Sequence, residues 1–98
     1  MMLDRGELLK SLRALNRGDF TVRMPLNLTG IDGDIAQTFN DVVELEEAKA
    51  QEIARVADQV GKEGQTTARM SVPGASGSWV EVIDAVNTLI SDTAYPMQ

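Results

Sequence analysis

Neither cysteine nor histidine occurs among the 98 residues. Those absences remove disulfides, thiolate nucleophiles, the usual proton shuttle, the commonest transition-metal ligands and any phosphohistidine on this segment. Aromatics are few: Phe20, Phe39, Trp79 and Tyr95. The apolar content is therefore Leu, Ile, Val, Ala and Met, which suits packed helices better than a large aromatic β-core. Cations are outnumbered, and the net charge of −6 opposes a non-specific hold on nucleic acid or on an anionic leaflet. No apolar run is long enough to span a bilayer, and Met1 to Lys10 lacks the basic start and apolar centre of a signal peptide. The segment is expected to be cytoplasmic and to contact neither membrane nor nucleic acid. Its length allows one ordinary domain, or two small units that need each other, so oligomerisation is expected.

What is present is a repeat. Gly18-Asp19-Phe20-Thr21-Val22-Arg23-Met24 returns as Gly64-Gln65-Thr66-Thr67-Ala68-Arg69-Met70, and Phe39-Asn40 returns as Val86-Asn87. The first pair is offset by 46 residues and the second by 47, so the second copy carries one extra connector residue. A period in this range denotes stacked units. We place unit 1 over residues 4–48 and unit 2 over residues 49–95.

The first helix is predicted from about Asp4 to Asn16, with Leu8, Leu12 and Leu15 on one stripe and Gly18 closing it. From Gly18 to about Gly33 the pattern turns extended. Pro25 argues against a ladder strand there, and Phe20 and Met24 act as apolar pins. So long a strap lets the two helices it joins lie parallel. The second helix is predicted over about residues 34–60, beginning near Asp32 or Asp34. Ile35, Phe39 and Val42 form its stripe in unit 1, and Ile53, Val56 and Val60 form it in unit 2. The polar stretch between them breaks the heptad near Lys49, where the junction of the units is expected. Gly61 and Gly64 end this helix, and Met70 and Val72 pin the second connector, which turns at Pro73-Gly74. The last helix starts near Ser76 or Ser78, carries Trp79, Val82, Val86, Leu89 and Thr93, and stops at Pro96.

Each unit thus reads as helix, connector, parallel helix, with seam-like spacing on both helices. The expected fold is all-α. Two such stripes bury one another fully only when a second chain covers them, which gives a parallel four-helix coiled coil in a homodimer.

These residues resemble HAMP domains, the signal-relaying linkers of bacterial histidine kinases, adenylyl cyclases and chemoreceptors. In unit 1 the matching pieces are Arg17-Gly18-Asp19-Phe20, the connector residues Phe20 and Met24, and Gly33-Asp34-Ile35-Ala36-Gln37-Thr38-Phe39-Asn40. Unit 2, from Val60-Gly61-Lys62-Glu63-Gly64 through Gly77-Ser78-Trp79 to Val86-Asn87, looks like the divergent copies in poly-HAMP arrays of hybrid histidine kinases. Ile31 replaces an acidic residue common in the family, and Val80 stands where unit 1 has Gly33. The resemblance implies a homodimer that transmits an input by rotating or repacking its four helices. Its partners would be itself and the adjacent signalling modules of a parent histidine kinase, soluble or membrane-anchored.

No catalytic constellation, cofactor site or metal site is evident, and no enzyme activity is expected of this segment. Glu44, Glu46, Glu47 and Glu52 fit a solvated helix face with Lys49 and Arg55 at salt-bridge spacing. Asp32-Gly33-Asp34 lacks the ligand run and distal Glu of a calcium loop. Trp79 fits an interface anchor. Two alternatives to a relay are a passive dimerisation coiled coil and a helical adaptor that binds a partner protein.

Overall fold

A computed structural model describes residues 2–94, the last two by backbone alone. Its described residues form three α-helices and no strand: α1 (Arg5–Asn16), α2 (Gly30–Gly61) and α3 (Ser78–Ala94). The all-α class follows the sequence expectation. Pro96, expected to stop the last helix, and the side chain of Thr93, counted in its stripe, lie outside the described residues. Among the described residues no helix is long and apolar enough to cross a membrane. The chain divides into two compact units, Met1–Glu47 and Ala48–Gln98.

In unit 1, α1 begins one residue later than predicted because Asp4 is its cap, accepting from the Gly6 and Glu7 amides at 2.9 and 3.1 Å. Its end is fixed by Gly18 at φ +88°. There the Gly18 amide donates to the Leu15 carbonyl and the Asp19 amide to the Ala14 carbonyl, the paired bonds of a Schellman motif. The connector then runs without regular structure to α2. That helix starts at Gly30, ahead of the expected Asp32 or Asp34, because Gly30 at φ +63° already turns the chain into it. Asp32 is therefore no cap. It lies in the first turn and accepts from the Leu3 amide at 2.9 Å. This bond sets the start of α1 beside the start of α2, while Leu15 and Gly18 share a cleft with Val42 and Glu46. The two helices therefore run in the same direction.

The unit 1 core is Met24, Leu28, Ala36, Phe39 and Val43, all buried, with Leu3, Leu8, Leu15, Phe20 and Val22 packed against it. Connector side chains supply two of the five. The connector thus fills the core on one face of α2, where Ala36, Asn40 and Val43 join Phe39 of the predicted stripe, while Ile35 and Val42 of that stripe stay exposed.

Unit 2 repeats the plan with α2 as its first helix and α3 as its second. Gly64 (φ +69°) and Gly77 (φ +60°) occupy the places of Gly18 and Gly30. Met70, Val72, Val56 and Ile90 are its buried hydrophobics. The start of α3 lies beside Lys49, whose ammonium sits over Trp79, and Val60 and Gly61 share a groove with Val86, Leu89 and Ile90. These helices also run in the same direction.

Candidate functional site

Two features recur in both units, a connector clamp and an open apolar groove. In the clamp, the Asn40 side-chain carbonyl accepts from the Met24 amide at 2.7 Å and its NH2 donates to the Met24 carbonyl at 3.0 Å. Asn87 repeats this on Met70 at 2.7 and 3.1 Å. One asparagine amide therefore satisfies both main-chain groups of a connector residue that could not otherwise be buried free of cost. Arg23 donates to the Phe20 and Val22 carbonyls, and Arg69 donates to those of Thr66 and Ala68. In both copies the arginine just before the clamped methionine ties down the connector backbone.

Acidic residues brace the straps. Glu47 pairs with Arg23 at 3.8 Å. Glu52 holds Arg55 at 2.6 Å and accepts the Ser71 amide at 2.7 Å, while Arg55 donates to the Arg69 carbonyl at 2.8 Å. The Arg55 hydrogen bond, assisted by the Ser71 amide and opposed by burial, holds the Glu52 carboxyl below its usual pKa, and Glu52 raises that of Arg55 in turn. Asp19 is lowered chiefly by the Thr21 hydroxyl, then by the Thr21 amide.

The grooves lie between the helices of each unit. In unit 1, Leu8, Leu12 and Leu15 of α1 face Ile31, Ile35, Phe39 and Val42 of α2 across an open cleft of ≈ 490 Å³, with Asp34 and Thr38 also lining it. In unit 2, Ile53, Val56, Ala57 and Val60 face Val86, Leu89 and Ile90 across ≈ 320 Å³. Among the described residues ten hydrophobic side chains are buried, whereas twelve large ones stay exposed. The groove residues Leu12, Ile35, Val42, Ile53 and Leu89 all belong to the exposed set.

The predicted seam residues thus separate into three groups. Leu8, Leu12, Leu15, Ile35, Phe39 and Val42 come together in the first groove, and Ile53, Val56, Val60, Val86 and Leu89 in the second. Trp79 and Val82 line neither. Trp79 instead receives the Lys49 ammonium at 3.2 Å from its ring centroid, and Val82 is exposed. Of the connector residues, Met24, Met70 and Val72 are buried, Phe20 packs against the unit 1 core, and Gly18 and Gly64 supply the positive-φ turns.

Sequence reasoning left out Ile31, since the helix was started too late, and Ile90, one residue beyond the stripe. The Asn40 and Asn87 clamps were visible as repeated residues, but periodicity gives a polar residue no role. Among the described residues no group of three or more acidic side chains is placed to hold a metal ion. No family model and no solved structure matches this chain.

Proposed function

We propose that the chain is a signal-relay segment of the HAMP type, belonging to a histidine kinase and acting as a parallel homodimer in which each unit completes a four-helix coiled coil. The observation that carries this reading is the pair of uncovered apolar grooves, each bounded by two helices of the same direction. Such a groove is half of a bundle. A second copy related by a two-fold axis lays the same stripes over it, because an isologous contact is self-complementary. Leu12, Ile35, Val42, Ile53 and Leu89 retain 38 to 64% of their exposure, so covering them stabilises the pair by about 1 kcal/mol per side chain. Folding and pairing are then closely linked.

The relay part of the reading rests on the resemblance and on what lines the grooves. Thr38 in the first, and Ala57 and Gly61 in the second, are small or polar where a rigid coiled coil favours large apolar residues. Such seams support more than one packing separated by a few kcal/mol. Because α2 belongs to both units, a rotation of that helix in one unit is felt in the other. The kinase activity itself resides in other parts of the parent protein.

The test is a phase scan. The chain is fused ahead of a dimeric histidine kinase core, and one to four alanines are inserted between Glu47 and Ala48. Each added residue turns the following helix by about 100°. A relay gives autophosphorylation that rises and falls with the insert number. A flat response at constant dimer content identifies a passive dimerisation module instead.

A further inference from the structure

The two units secure the start of their second helix by different means. In unit 1 the main chain contributes to both contacts. The Leu3 amide donates to the Asp32 side-chain carboxylate, and the Leu28 carbonyl approaches Gly33 so closely that a Cβ there would stand 2.6 Å from its oxygen. In the repeat, Lys49 stands where unit 1 has Leu3, Trp79 where it has Asp32, and Val80 where it has Gly33. Val80 carries the Cβ that Gly33 lacks, so the close main-chain approach has no counterpart in unit 2.

A side-chain contact takes its place. The Lys49 ammonium lies 3.2 Å from the centroid of the Trp79 ring, and Lys49 is only 2% exposed. An ammonium withdrawn from water this far needs compensating partners, and the face of an indole is one of the strongest apolar surfaces for that purpose. Both members are single side chains, which can part by a change of rotamer while each helix stays intact. The main-chain contact at Gly33 cannot open in that way.

We infer that Lys49 and Trp79 form a releasable latch on the first turn of α3, which makes the start of that helix the compliant point of unit 2. Opening it frees the first turn of α3 and the adjoining connector, residues 73–77. The Asn87 clamp on Met70 and the Glu52 bond to the Ser71 amide still hold the earlier part of the strap. The latch needs no second chain and does not depend on the pairing proposed above.

Trp79 is the only tryptophan, so its fluorescence reports the latch directly. Lys49→Met keeps the stem and removes the charge, whereas Lys49→Arg keeps a cation. In the full chain, Lys49→Met is expected to change Trp79 emission and to speed amide exchange over residues 79–83 by about tenfold. Residues 32–36, the counterpart in unit 1, keep their protection, and Lys49→Arg restores most of both signals. Unchanged emission and exchange in Lys49→Met would overturn the latch, as would equal loss of protection in both units. If Lys49→Met does not fold, Trp79→Leu decides. Release of residues 79–83 alone supports the latch, and retained protection there refutes it.

Discussion

Replacing Asn40 by alanine removes the side chain that bonds both main-chain groups of Met24, and the effect can be worked from burial. Met24 is 4% exposed and Asn40 is 7% exposed, so water does not readily replace the lost partner. Each buried polar group left unsatisfied costs about 1–3 kcal/mol, and two are left here. The expected loss is about 2–6 kcal/mol, a large share of the roughly 5–15 kcal/mol that stabilises a typical domain. In urea, a loss near 3 kcal/mol lowers the midpoint by about 1–3 M at fixed protein concentration. Asn87→Ala is the internal comparison. Its bonds to Met70 have nearly the same lengths and Met70 is itself buried, but Asn87 is only partly buried, so water can enter where its amide was removed and the loss is expected nearer 1 kcal/mol. Asn40→Asp keeps an acceptor for the Met24 amide but turns a second carboxyl oxygen toward the Met24 carbonyl, so it cannot rescue the clamp. An Asn40→Ala midpoint equal to wild type, or a smaller drop than that of Asn87→Ala, would refute the argument that these clamps matter through burial.

Three other outcomes follow from single contacts. Gly33→Ala sets a Cβ against the Leu28 carbonyl oxygen at 2.6 Å, where backbone must shift, so thermal unfolding should show a loss of about 1–3 kcal/mol. Asp4→Ala removes the cap from α1 and should cost about 1 kcal/mol, read as a lower melting temperature and reduced helix content. The Glu52 brace should fail only in acid. Its carboxyl is held below the ordinary glutamate value of 4.5 in the fold, so its stabilising effect is complete above that value and is lost as pH falls through the lowered one. An NMR titration of the Ser71 amide should therefore show a midpoint under 4.5, and one at or above that value would contradict the assigned bond.

The helices were legible because Leu8, Leu12 and Leu15, or Val82, Val86 and Leu89, recur at helical spacing, and because Gly18, Gly64 and Pro25 mark where that spacing stops. Most groove residues were legible for the same reason, Ile31 and Ile90 excepted. What could not be read was the second face of α2. Ala36, Asn40 and Val43 pack beneath the connector, yet alanine and asparagine carry little weight in a hydrophobic pattern, so Ile35 and Val42 stood out and the inner face did not. The start of α2 was missed because an aspartate near a helix start reads as a cap. Here Gly30 makes the turn, and Asp32 is engaged by the Leu3 amide, a contact made across 29 residues of sequence. The Lys49–Trp79 pair had no sequence signal of its own. Lys49 sits among glutamates and alanines, and only the alignment of the two repeats reveals that Lys49 and Trp79 hold the places of Leu3 and Asp32.

The central claim is that the two grooves are closed by a second copy running parallel and in register. Because the chain has no cysteine of its own, oxidative cross-linking of single cysteines measures this directly. Leu12→Cys places the thiol in the unit 1 groove and Val86→Cys in the unit 2 groove, with Lys62→Cys as an exposed control. The account predicts rapid disulfide-linked dimers from the first two and slow, concentration-dependent cross-linking from the control. A monomer, or a dimer in which neither groove position pairs with its own copy, would contradict it.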